Sequence, residues 1–107
     1  MNDLIVSLVS HDELTRRGEG PLRRTLDSLS AAMAYLARKK PGVDVYVACC
    51  DDASADGTPD CIERYFQGKD WFKLVRNRVN HSIGFSRNSA AAQFDTDLVC
   101  LLDADDE

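Results

Sequence analysis

The sequence predicts an α/β fold, a mostly parallel sheet with helices flanking it. Three observations lead there. Short apolar runs alternate with helical patterns in the order β-α-β-α-β-α-β, the signature of a parallel layer. The runs are apolar at nearly every position, as strands buried on both faces are. Three of them end in polar or acidic clusters. Right-handed crossovers gather strand C-termini at one edge of such a sheet, and ligands of open α/β sheets bind at that edge.

The first strand is Leu4-Ile5-Val6-Ser7-Leu8-Val9, and it gives way to the polar Ser10-His11-Asp12-Glu13. Arg16-Arg17-Gly18-Glu19-Gly20-Pro21 continues as a loop. Taken alone, Ser10 and Asp12 read first as turn and cap residues, with ligand binding as the second reading. Leu22, Leu26, Leu29, Met33 and Leu36 then recur at spacings of four, three, four and three, which lines one helix face for core packing. Arg38, Lys39 and Lys40 suit the C-terminal dipole of that helix, and Pro41-Gly42 stops it.

Val43 to Cys50 forms the second strand and runs into Asp51-Asp52-Ala53-Ser54-Ala55-Asp56-Gly57-Thr58. Asp56 or Thr58 can cap the next helix, with Pro59 in its first turn, and Ile62, Tyr65 and Phe66 give it an apolar face that ends at Gly68. Trp71-Phe72-Lys73-Leu74-Val75 is the third strand, aromatic and branched. A loop over residues 76–84 precedes an alanine-rich helix from Phe85 to Phe94, and Asp95-Thr96-Asp97 turns the chain into the last strand, Leu98-Val99-Cys100-Leu101-Leu102.

That last strand stops at Asp103-Ala104-Asp105-Asp106-Glu107, four acids in five residues. Two readings of this cluster stay open on these residues alone. It is a solvated acidic turn, or it holds a hard divalent cation, since Mg²⁺ takes one or two protein carboxylates together with substrate phosphates.

The composition sets outer bounds. With 107 residues, 44% of them hydrophobic and 29% charged, the chain suits one small globular domain. A net charge of −5 argues against a nucleic-acid surface, which is normally basic. No apolar run is long enough to span a bilayer, and the N-terminus has no signal-peptide pattern. Cys49, Cys50, Cys61 and Cys100 form no C-x-x-C pair, so they are expected to be buried reduced thiols suited to the cytoplasm; zinc is not expected.

Four segments together resemble family 2 glycosyltransferases of the Rossmann-like GT-A fold. They are Val9-Ser10-His11-Asp12, Asp51 to Thr58, Asn80-His81-Ser82-Ile83-Gly84-Phe85-Ser86-Arg87-Asn88, and Leu101-Leu102-Asp103-Ala104-Asp105-Asp106. The resemblance spans essentially the whole chain and corresponds to the N-terminal, nucleotide-sugar-binding part of that family's catalytic domain. It implies that Ser10 and Asp12 lie beside the nucleotide base. It implies that Asp51-Asp52 is the acidic pair after the second strand, with Asp52 accepting a hydrogen bond from uracil and Asp51 as its structural neighbour. Arg87 matches the basic residue expected near the base or diphosphate; without the resemblance it reads as a surface helix cation. Asp103-Ala104-Asp105 matches the D-x-D motif, with Asp103 facing the ribose and the metal's water shell and Asp105 ligating Mn²⁺ or Mg²⁺.

The implied activity is transfer of a sugar from a nucleotide donor, UDP-linked by expectation, to a glycan or lipid-linked acceptor hydroxyl in polysaccharide synthesis, with inversion. In this family the general base is a carboxylate beyond the D-x-D, so it is expected beyond Glu107. The chain is expected to be truncated after the D-x-D, to be inactive alone, and to meet membrane only through other parts, at most at the inner face. The Arg16 to Gly20 stretch has no obvious counterpart in the family, and Ser89 stands where glycine is common. A second reading from another class is a non-catalytic nucleotide-binding module, or an α/β fragment that self-associates through an exposed sheet edge.

Overall fold

The computed structural model describes residues 2–103, with side chains for residues 3–102. Eight elements follow in order: β1 (Asn2–Ser10), α1 (Glu13–Arg17), α2 (Glu19–Lys39), β2 (Val43–Asp52), α3 (Thr58–Tyr65), β3 (Phe72–Asn77), α4 (Ile83–Ala91) and β4 (Leu98–Asp103). The strands form one sheet in the order β3-β2-β1-β4, and every neighbouring pair is parallel.

The chain steps from β1 to β2 to β3 in one direction and returns past β1 to place β4 on its other side. Helices α2 and α3 pack on one face, where Leu22, Leu26, Leu29, Ile62 and Phe66 join Val6, Leu8, Val47 and Cys49 in the larger core. Helix α4 covers part of the other face, where Ala90 meets Ile5, Ala48 and Cys50. Alternate residues of β1 and β2 thus enter opposite cores, which is why those strands read as continuous apolar runs. Each buried leucine of α2 contributes about 1.5–3 kcal/mol relative to its exposed form.

Three expectations are corrected. Residues 13–17 form a short helix where a continuous loop was expected, and α2 begins at Glu19. The first amides of α1 take their acceptors from distant residues: Leu14 N donates to Thr58 Oγ1 (3.1 Å) and Thr15 N to Asp56 Oδ2 (2.9 Å). No local periodicity announces such a helix. Strand β2 runs on through Asp51 and Asp52 because its parallel partners continue, Ser10 opposite Asp51 and Asn77 opposite Asp52. Cys100 is exposed: β4 is the sheet's edge, and only Cys49 and Cys50 are fully buried thiols, with Cys61 intermediate. Val99 and Leu101, on the α4 side of β4, are 51% and 55% exposed.

Among the described residues, no helix is long and apolar enough to cross a membrane.

Candidate functional site

The C-terminal ends of β1, β2 and β4 meet at one edge. Ser10 lies opposite Asp51, and Asp103 ends β4 opposite Val9. The order of strands reverses between β1 and β4, so this edge is the switch point at which open α/β sheets leave a crevice. A cleft of about 380 Å³ opens there, lined by Val9, Ser10, His11, Glu13, Arg16, Asp52, His81 and Ile83.

The two acids of β2 point to opposite faces of the sheet. Asp51 is 2% exposed and fully engaged. Its Oδ1 accepts from Ser10 Oγ (2.7 Å) and Ser54 Oγ (2.7 Å), and its Oδ2 from Ser54 N (3.0 Å). Beneath it, burial pushes the Cys49 thiol far above its ordinary value, so that sulfur stays protonated at neutral pH. Asp52 faces α4 and lines the cleft. Its Oδ1 accepts from His81 N (2.8 Å) and from Asn77 Nδ2 (3.1 Å).

Asp12 sits in the left-handed region at φ 49°, which an aspartate tolerates better than most residues. That conformation lets it clamp the loop after β2. Its N–H donates to Ser54 Oγ (2.8 Å), and its Oδ1 accepts from Ala55 N (2.6 Å). Ala53, in that loop, also has positive φ (57°), a strained conformation for an alanine. His11 bridges the two strand tips: its Nδ1 lies 2.6 Å from Asp52 O and its Nε2 lies 3.3 Å from Asp12 Oδ2. Arg16 donates to His11 O (3.3 Å) at the mouth of the cleft. His81 stacks on Phe85 with centroids 4.0 Å apart.

Asp56 anchors the far side of the loop. Burial alone would raise its carboxyl, but hydrogen bonds from the side chain and backbone of Thr58 and from Thr15 outweigh that and lower it to about 2.

Of the residues singled out from the sequence, Ser10 and Asp52 line the cleft together. Asp12 and Asp51 lie behind it and build its wall through their loop contacts. Arg87 is half-buried on α4 and is not among the lining residues; its carbonyl accepts from Ser7 Oγ (2.8 Å). Asp103 is placed by its backbone at the end of β4, and Asp105 lies outside the described residues. Sequence reasoning passed over Glu13, Arg16, Asn77, His81 and Ile83. For Asn77 a signal existed: it is a double donor at a strand's C-terminal end. Among the described residues, no group of His, Cys, Asp and Glu is arranged to hold a metal ion. The backbone of β4 ends at Asp103 opposite Val9, which lines the cleft, and carboxylate oxygens are the donors that a hard divalent cation takes.

The model of the family described as Glycosyl transferase family 2 matches residues 8–107. A search of curated proteins returned no match. Among solved structures, the crystal structure of S. aureus TarS 1–349 is similar, with a TM-score of 0.68 at 22% identity. The match covers 99% of this chain and 28% of that one. At that identity the likeness concerns the fold, and the all-parallel sheet with flanking helices is the Rossmann-like layer of GT-A proteins.

Proposed function

We propose, from the premise that this chain belongs to glycosyl transferase family 2, that its cleft holds the nucleotide of a nucleotide-sugar donor. The observation that carries this reading is the state of Asp52. One carboxylate oxygen is held by His81 and Asn77, and the residue lines a cleft at the C-terminal edge of the sheet. Such a group accepts a hydrogen bond from a base that presents an N–H, as uracil does, and a UDP-sugar is therefore the proposed donor. Ser10, Asp12 and Asp51 fix the wall against which the base lies. Arg16, at the cleft mouth, and Arg87, on α4, are the cations proposed to meet the donor's phosphates.

Asp103 and Asp105 are the residues that would hold Mn²⁺ or Mg²⁺. Bound there, a divalent ion supplies stabilisation for the charge that develops on the departing diphosphate. The proposed reaction is transfer to an acceptor hydroxyl of a glycan or lipid-linked glycan with inversion at the sugar carbon, in cytoplasmic polysaccharide synthesis at most peripheral to the membrane. No described residue is assigned as general base. Proximity of donor, acceptor and base supplies much of the rate of such a transfer, so the donor-binding half of the proposal is the part to test on this chain.

Titration calorimetry with UDP, with and without Mn²⁺, tests it on the wild type, Asp52→Ala and Asp105→Ala. The reading expects metal-enhanced UDP binding, enhancement lost in Asp105→Ala, and weakened binding in Asp52→Ala. A folded wild type that binds no UDP with or without metal, or variants that bind as well as the wild type, would overturn it.

A further inference from the structure

Asn77 is the last residue of β3 and pairs in register with Asp52. Its Nδ2 donates twice, to Asp52 Oδ1 at 3.1 Å and to Ser86 Oγ at 3.1 Å. Ser86 belongs to α4 and is fully buried. An amide nitrogen carries two hydrogens, so both are committed. Asp52 Oδ1 also accepts from His81 N at 2.8 Å, so both lone-pair directions of that oxygen are taken and the plane of the carboxylate is fixed. Oδ2 is left as the oxygen that a ligand in the cleft meets.

We propose that Asn77 is a positioning residue for donor recognition: by tying the Asp52 carboxylate to Ser86 on α4, it sets the one direction along which Asp52 accepts a ligand N–H. This inference rests on the reading of Asp52 as the group that contacts the base. The chemistry restricts the residue. Aspartate has the same shape but brings no donor when ionised. Serine has one donor and a shorter reach. A carboxylate free to turn accepts from whatever donor is near, whereas a fixed one favours uracil, whose ring N–H points at it, over cytosine, which has a lone pair at that nitrogen. Leaving such a polar group unpaired is what makes the wrong base costly.

The experiment is calorimetric titration of the intact protein with UDP and with CDP, on the wild type, Asn77→Ser and Asn77→Asp, with circular dichroism as the check on folding. Asn77→Ser is expected to lose about tenfold in UDP affinity, the scale of one hydrogen bond to a charged acceptor, and to narrow the preference for UDP over CDP. Asn77→Asp sets two carboxylates against each other. At about pH 8 it weakens UDP binding; as pH falls from there to about pH 5 a shared proton restores an O–H donor between them, and affinity recovers relative to the wild type. Charged and titratable groups around the pair are His11, Glu13 and Arg16 from the β1–α1 segment, Asp51 and Cys50 from β2, Arg76 from β3, His81 from the following loop and Arg87 from α4. All are present in the wild type as well, so the difference between the two pH curves isolates residue 77. Two folded variants that bind UDP and CDP as the wild type does at every pH would overturn the inference. Where Asn77→Ser fails to fold, the recovery in Asn77→Asp decides. A wild type that binds no UDP removes the assignment of Asp52 and this role with it; a wild type that needs Asp52 but is indifferent to Asn77 removes this role alone.

Discussion

Asp51 and Asp52 are adjacent in the chain and occupy opposite kinds of place. Asp51 turns toward the α2–α3 side, is closed off from water, and has both oxygens engaged by Ser10 and Ser54. Asp52 turns toward α4, borders a cleft, and has one oxygen held by His81 and Asn77. The same side chain therefore serves folding on one face of the strand and borders an open cleft on the other. The difference comes from the two-residue period of a strand and not from the acids themselves.

The sharpest way to break this contrast is Asp51→Ala. It leaves the Ser10 hydroxyl and the Ser54 hydroxyl and amide without their buried acceptor, and the expected loss is about 3–4 kcal/mol, read as a lower urea midpoint. Asp51→Asn keeps an acceptor oxygen and should fall between the two. Asp52→Ala should invert the pattern, with a stability change under about 1 kcal/mol and a loss of UDP affinity of about tenfold or more. Equal stability losses in the two alanine variants would mean that both acids are structural.

A smaller effect distinguishes the loop that serves Asp51. The carboxyl of Asp56, which burial alone would raise, is lowered to about 2 by its hydrogen bonds from Thr58 and Thr15. Its folded value lies below an unfolded value of about 4, so its contribution is complete above that pH and disappears as pH falls through about 2. Urea midpoints measured across this window should fall for the wild type and change less for Asp56→Asn. The smallest expected effect belongs to the Asp52 side. Ser82 accepts from Phe85 N (3.2 Å) at the start of α4, and Ser82→Ala should cost about 0.5–1 kcal/mol. Thermal unfolding would measure it, with UDP affinity nearly unchanged because His81 N keeps its carboxylate.

Much of the fold was legible because burial writes itself into local pattern. The four-three spacing of leucines along α2 and the unbroken apolar runs of β1 and β2 need no knowledge of their partners. Helix α1 was not legible, because its amides are capped by Asp56 and Thr58 from more than forty residues away. The candidate site was legible to the level of strand tips. Ser10 and Asp52 could be placed at one edge by topology alone. The resemblance already set Asp52 apart from Asp51, but the part Asp12 plays in clamping the loop after β2 could not be read, since it depends on which oxygen meets which donor across the gap between loops. Cys100 was misjudged for a related reason: an apolar run shows that a strand is present, not whether it lies at an edge.

The apolar residues on both faces of β2 bear on how this protein tolerates change over evolutionary time. Val47, Ala48, Cys49 and Cys50 are all fully buried, two on each side. A strand so nearly symmetric offers the core little means of telling one face from the other, because a one-residue slip exchanges the two faces of a strand. The Asp51–Asp52 tip supplies the missing asymmetry, since a slip by one position would bring Asp52 to the serine cradle and drive Asp51 into the buried place of Cys50 beside Ala90. Single-residue insertions or deletions within β2 should therefore be purged from related sequences more strictly than conservative apolar exchanges at the same positions.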